Sequence, residues 1–242
     1  MKKNTSTTTQ TSLPVYIQIS ELLTREITAG FYAAGDRLPP EAELAAKLGV
    51  AVGTLRKALS ELESRGMLER RQGSGTYVRQ NSSTAPLSKS VYEFFKLELL
   101  GGGGLPSAIV ASFDKIDTPE AFQTSFSKKC YRVRRLRLLS GTPAALEEIY
   151  FDAAQHPKLK QEDLGVALYL FYKESLGFWI ASAEDRVGLG VAPEWTLGGF
   201  APKAGDVCPR VERISRASDG MIREYSVTWF DANVCRYVNR LK

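Results

Sequence analysis

The stretch LGVAVGTLRKALSELESRG, residues 48–66, places Arg56 and Lys57 ahead of Glu61 and Glu63. From Val52 to about Arg65 the apolar residues Leu55, Ala58, Leu59 and Leu62 recur at spacings of three and four, which predicts an amphipathic helix stopped by Gly66. The helix dipole favours acidic residues at the amino end and basic ones at the carboxyl end. A helix that carries positive charge at its front, against its own dipole, suits a negative partner there.

Upstream, Tyr16, Ile19, Leu22, Leu23 and Ile27 repeat in the same way and predict a helix closed by Gly30. The turn AAGDRLPP resets the chain, and EAELAAKLG reads as a second short helix with Leu44 and Leu48 inward and Gly49 as its C-cap. Downstream, MLERRQGSGTYVR is a strand, a glycine-rich tip and a second strand, the pattern of a β-hairpin. Three helices followed by a hairpin make the plan of a winged helix-turn-helix, here over residues 12–79. Residues 1–11 read as a disordered tail, and 80–88, QNSSTAPLS, as an interdomain linker.

From residue 89 to 242 the pattern changes. SVYEFFKLELLGGGG reads as a helix ended by glycines. SAIVASFDK, CYRVRRLRLLS, PAALEEIYF, DRVGLGV, DVCPRVERISR and REYSVTWFD read as strands, with helical patches near TPEAFQTSF and DLGVALYLFYKES. This order predicts an α+β domain with a largely antiparallel sheet. In CYRVRRLRLLS, alternation puts Tyr131, Val133, Arg135 and Arg137 on one face and Arg132, Arg134, Leu136 and Leu138 on the other. Two arginines sharing a sheet face imply an anionic ligand or a surface salt-bridge ladder between neighbouring strands. If Ser140–Gly141 is a two-residue turn, Arg135 shares its face with Leu146 and Glu148; a three-residue loop sets it opposite Glu147.

The 242 residues are 43% hydrophobic, enough to supply a core to each of two domains. The net charge is +5, of which +3 falls in residues 1–80, a balance compatible with a polyanionic partner. Three scattered cysteines argue against a disulfide framework and favour a reducing cytoplasm. The leading MKKNTSTTTQTS has no apolar run behind its lysines, so neither a secretory signal nor a membrane anchor is expected. GGGG at 101–104 lacks the GK[ST] of a phosphate loop, and the single histidine, His156, has no metal-ligand spacing around it. No metal or cofactor is expected.

Residues 14–78, PVYIQISELLTREITAGFYAAGDRLPPEAELAAKLGVAVGTLRKALSELESRGMLERRQGSGTYV, resemble the DNA-binding domain of the GntR family of bacterial transcription regulators, with LPPEAEL, GTLRKAL and QGSGTYV at the expected separations. RVRRLRLLSGTPAALEEIYF, ALYLFYKESLG and REYSVTWFD resemble the UTRA ligand-sensing domain of its HutC-type branch, a fold similar to chorismate lyase. The resemblance implies a homodimeric repressor that binds a palindromic operator in double-stranded DNA. It implies DNA contacts at Pro40, Gly53, Thr54, Arg56 and Lys57, and in the wing at Arg70, Arg71, Gln72, Gly73, Ser74 and Gly75. It also implies a small anionic effector held by Arg135, Arg137, Glu147, Ala167, Tyr169 and Glu224, with Glu147 opposite Arg135.

The chain departs from the family at Ala51, where serine is usual, and at Val52 and Ala42, where arginine is usual. Ala51 removes an N-cap worth roughly 1 kcal/mol, and the missing arginines remove guanine-reading side chains. Ala167 stands where the family has a serine, which favours a carboxylate or sulfonate over a phosphate. The competing expectation is an enzyme that uses Glu147 and Glu224 as a carboxylate pair. Against it stand the DNA-binding domain and the absence of a Ser/His/Asp set, a metal motif or a cofactor loop.

Overall fold

A computed structural model describes residues 14–28, 31–79, 95–154, 156–164 and 168–239. The tail, the linker, Gly30 and Ala167 lie outside the described residues. The chain divides into two compact units that exchange at 96/97 and at 237/238.

In the first unit the helices are α1 (Val15–Thr28), α2 (Glu41–Leu48) and α3 (Val52–Ser64), followed by the strands β1 (Leu68–Arg71) and β2 (Gly75–Val78). Ile19, Leu22, Leu23 and Ile27 of α1, Leu44 of α2 and Leu55, Ala58, Leu59 and Leu62 of α3 are all buried, with α3 in contact with both other helices. Leu48 is only half-buried. Helix α2 ends on Gly49 in the left-handed conformation (φ 65°), where a residue without a Cβ is favoured. Helix α3 begins at Ala51 with no side-chain cap, as expected from the missing serine. In the wing, β1 pairs antiparallel with β2 from Leu68–Val78 to Arg71–Gly75. Leu38 donates its N–H to the Thr76 carbonyl at 2.9 Å, which binds the segment before α2 to the wing.

The second unit is a six-stranded sheet. Its strands are β4 (Pro106–Asp117), β5 (Lys129–Leu139), β6 (Thr142–Asp152), β7 (Ile180–Val191), β8 (Val207–Ala217) and β9 (Ile222–Phe230), with the order β4-β5-β6-β9-β8-β7 and every neighbour antiparallel. Helix α4 (Leu168–Ser175) lies between β6 and β7 in sequence. The short strands β3 (Leu97–Leu99) and β10 (Cys235–Tyr237) pair separately.

Two sequence expectations need correction. Leu97–Leu99 is strand rather than the end of a helix, because its backbone pairs with Cys235–Tyr237. The TPEAFQTSF patch holds only a three-residue 3-10 turn, Glu120–Phe122. There Phe122 stacks on Tyr225 at 4.2 Å, so the aromatic residues anchor a turn to the sheet instead of lining a helix.

The β5–β6 turn resolves the two registers in an unexpected way. Ser140 (φ 48°) and Gly141 (φ 81°) form a two-residue turn with both residues left-handed, as a type I′ hairpin turn requires. A bulge in β6 then inserts one residue: Leu138 pairs with Pro143 but Arg137 pairs with Ala145, so Arg135 lies opposite Glu147. The short turn and the register expected of the longer loop coexist.

Candidate effector site and DNA interface

Period-two alternation sends Arg135 and Arg137 of β5, Glu147 of β6, Glu224 of β9 and Arg213 and Ser215 of β8 to one face of the sheet. On the other face Leu136, Leu146 and Trp229 pack with Ala192 and Phe200. Both arginines are nearly inaccessible, with relative exposures of 7% and 5%. Arg135 donates Nε–H to Glu147 at 2.5 Å, and Arg137 donates to both oxygens of the same carboxylate at 3.0 and 3.2 Å. This is a buried triad, not a surface ladder. The ladder exists as well, on the opposite face, where half-buried Arg132 pairs with Asp114 at 3.1 Å and Arg134 with Glu148 at 2.5 Å.

Burial alone would raise the Glu147 carboxyl, but the charges and hydrogen bonds of Arg135 and Arg137 outweigh it and hold the group at about 2. Glu224 shows the reverse. Burial pushes its carboxyl up, against the lowering effects of the Tyr172 hydrogen bond and of Arg213, Arg135 and Ser215. Three hydroxyls donate to it: Tyr172 at 2.8 Å, Tyr169 at 3.1 Å and Ser215 at 3.2 Å. Helix α4 supplies both tyrosines, and buried Tyr172 fixes that helix by ring contacts with Phe151 and Phe178. Arg213 grips Asp185 of β7 with two bonds of 2.6 Å.

The structure therefore brings Arg135, Arg137 and Glu147 into one cluster, and Tyr169 and Glu224 into a second one joined to it by the electrostatic effect of Arg135 on Glu224. Tyr172, Arg213, Ser215 and Asp185 belong with them and were missed in the sequence. The available signal was faint: Arg213 and Ser215 alternate within DVCPRVERISR, and Tyr172 follows Tyr169 by three positions, one helical turn. As for the expected carboxylate pair, Glu147 is held by two guanidinium groups and Glu224 by three hydroxyls, two separate hydrogen-bonded settings. Among the described residues, no group of three or more His, Cys, Asp or Glu side chains is placed to hold a metal ion, and no helix is long and apolar enough to cross a membrane.

In the first unit, the front of α3 is open. A Cβ built on Gly53 would meet no atom within 4 Å, and Arg56 and Lys57 are exposed, with Thr54 half-buried beside them. Arg56 donates Nε–H to Glu41 of α2 at 2.6 Å, and Lys57 sits over the Tyr16 ring at 3.9 Å. Pro40 occupies the N-cap of α2. From the wing, Arg70 donates to the Arg56 carbonyl at 3.1 Å, and Arg71 lies over Tyr77 at 4.5 Å. Gln72, Gly73, Ser74 and Gly75 are exposed at the tip. Gly73 and Gly75 have φ of 71° and 128°, conformations that favour glycine. The recognition-helix front, Pro40 and the wing residues are thus all displayed in one small unit.

A winged helix-turn-helix followed by a separate sheet domain with a buried polar site defines a transcription regulator that carries its own ligand-binding domain. Two family models match the chain: "Bacterial regulatory proteins, gntR family" over residues 15–78 and the UTRA domain over residues 106–236. The chain is 49% identical over 234 residues to the HTH-type transcriptional regulator SmoD of Agrobacterium fabrum, covering 96% of this chain and 97% of that one. It is 28% identical over 231 residues to the mannosyl-D-glycerate transport/metabolism system repressor MngR of Escherichia coli, covering 91% and 92%. The crystal structure of YydK from Bacillus subtilis shares the fold, with a TM-score of 0.52 at 23% identity over 96% of this chain and all of that one. The chain belongs to the GntR family of bacterial transcription regulators and carries a UTRA domain of the HutC type.

Proposed function

We propose that this regulator is a homodimeric repressor whose affinity for a palindromic operator is set by a small anionic metabolite bound at Arg135, Arg137 and the residues around them. The observation that carries the reading is the charge of the buried cluster. Three guanidinium groups, Arg135, Arg137 and Arg213, share one sheet face with the carboxylates Glu147, Asp185 and Glu224, and burial works against the charged form of Glu224. Guanidinium groups taken out of water favour anionic company, which a bound effector can supply. Alanine at 167, where the family has a serine, removes a donor and favours a carboxylate or sulfonate over a phosphate. The hydroxyls of Tyr169, Tyr172 and Ser215 suit further polar groups on the same molecule.

Operator fragments are recovered by selection from random duplexes, and their affinity is then measured against a panel of carboxylates, sulfonates and phosphates. The reading requires that at least one anion change operator affinity while being recovered unaltered. Conversion of the anion to a product would favour the enzyme instead, and indifference to the whole panel would remove the anionic effector.

A recognition helix enters the major groove by its first turns, so the front of α3 supplies two further tests. Arg56→Ala is expected to weaken the selected operator by about 1–3 kcal/mol and to relax base preference at one position per half-site. Unchanged affinity at fixed salt would place that arginine outside the interface. Lys57→Ala is expected to weaken all duplexes alike and to reduce the salt slope by about one, because its ammonium exchanges the Tyr16 ring for a phosphate. An unaltered slope would leave the lysine on its ring.

A further inference from the structure

Tyr237 is the last residue of the sheet unit, and its backbone pairs with Leu97, where the described part of that unit begins. Among the described residues, the chain leaves the sheet unit at this pair, between 96 and 97 and between 237 and 238. The Tyr237 hydroxyl donates to Oδ2 of Asp185 at 2.5 Å. The same carboxylate takes both donors of Arg213. Arg213 lies two residues from Ser215 on the same face of β8, and Ser215 is bonded to Tyr169 at 2.9 Å and to Glu224 at 3.2 Å. One chain of contacts thus runs from the candidate effector site at Tyr169, Ser215 and Glu224 to the strand pair β3–β10.

We propose that Arg213, Asp185 and Tyr237 form a relay that reports occupancy of the candidate effector site to the β3–β10 pair, the point at which the chain passes toward the DNA-binding unit; this rests on the effector reading above. The chemistry is competition for one guanidinium. Asp185 accepts from Arg213 and Tyr237 together, in a half-buried setting where charge-assisted bonds are short and strong. An anionic or hydroxyl-rich ligand beside Tyr169 and Glu224 draws Arg213 toward itself. Asp185 then loses a donor, and its grip on Tyr237 is reset. The two-state element is the Asp185–Tyr237 bond, and both the effector site and the strand pair bias it. A ligand moves this equilibrium only through its different affinity for the two states. In this protein that difference is the capture of Arg213. Arg213 and Asp185 are accordingly positioning residues, and Tyr237 is the reporter.

The test needs no identified effector and uses the full chain. Hydrogen exchange is measured at Leu97–Leu99 and Cys235–Tyr237 in the parent, in Tyr237→Phe, in the effector-side variants Arg213→Lys and Tyr169→Phe, and in the doubles with Tyr237→Phe. Arg213→Lys keeps the charge and loses the planar fork, and the two phenylalanine changes remove one hydroxyl each, so the fold is kept. Tyr237→Phe is expected to speed exchange at these amides about tenfold or more. Arg213→Lys should speed the same amides, and each double should exchange no faster than Tyr237→Phe alone, because both changes break one path. Operator affinity of Tyr237→Phe and Arg213→Lys should shift in the same direction, by about 5-fold or more. Parental exchange in both effector-side variants, effects that multiply in the doubles, or parental operator affinity in Tyr237→Phe would each overturn the relay. If the parent selects no DNA, the regulator reading falls on that result, while the exchange data still decide whether the effector site and the strand pair are linked.

Discussion

Glu147→Gln is expected to destabilise the sheet unit by about 3–5 kcal/mol near neutral pH, the cost of leaving buried charge without its counter-ion. Glutamine at 147 would face two guanidinium groups that now share one carboxylate. The loss should depend on pH in a defined direction. The Glu147 carboxyl is held at about 2, below its ordinary value of 4.5. Its ionic contribution is therefore complete above pH 4.5 and disappears as pH falls through about 2. The gap between parent and variant should narrow over that window and not at higher pH. Glu224 works with the opposite sign. Because burial raises its carboxyl, the stability it supplies is present in acid and is lost as pH rises through the raised value. Urea unfolding of both proteins from neutral to strongly acidic pH decides the matter. A variant as stable as the parent at neutral pH would mean that Arg135 and Arg137 are charge-balanced by other groups.

Replacing the whole triad should act very differently from breaking it. The triple change Arg135→Met, Arg137→Met and Glu147→Leu removes both charges and counter-charge and fills the space with apolar atoms. Such exchanges are neutral or stabilising by roughly 1–4 kcal/mol, since the desolvation of the ions is no longer incurred. The triple variant should thus unfold at least as late as the parent. It should bind operator with parental affinity, because neither the DNA-binding unit nor the Arg213–Asp185–Tyr237 path is changed, and it should ignore the anion that shifts the parent. The difference lost is the coupling free energy, typically 1–3 kcal/mol. A triple variant that still responds to the anion would make the triad purely structural and move the effector site elsewhere, with the Tyr169–Glu224–Arg213 cluster as the next place to look.

The DNA-binding unit was almost fully legible from residue order. Its helices are amphipathic with a strict repeat, its caps and turns fall on glycines, and its motif spacing is local. Leu55, Ala58, Leu59 and Leu62 point inward because a helix with about 3.6 residues per turn leaves them no other face. The sheet strands were legible for the same reason at period two. The β3–β10 pair was not. Three-residue strands carry no period, and Leu97–Leu99 finds its partner more than a hundred residues away. The aromatic run near Phe122 misled in a related way: its rings answer to Tyr150 and Tyr225 on distant strands, not to a helix face of their own.

At the candidate site the division falls between residue type and residue company. Alternation alone put Arg135 and Arg137 on one face of a strand, and local chemistry made them candidates for an anion. Their actual partner depended on register. A type I′ turn at Ser140–Gly141 would by itself set Arg135 against Leu146, and only the bulge beside Ala144 moves Glu147 into place. Register is a property of two strands and of every residue between them, so one inserted residue changes all the pairs that follow. The gathering of Tyr172, Arg213, Asp185 and Tyr237 lies further still from any local signal. Those four side chains come from a helix and three strands, and they meet because apolar faces elsewhere in the chain must be buried together. Local periodicity decides which way each side chain points, whereas long-range burial and strand register decide what it meets.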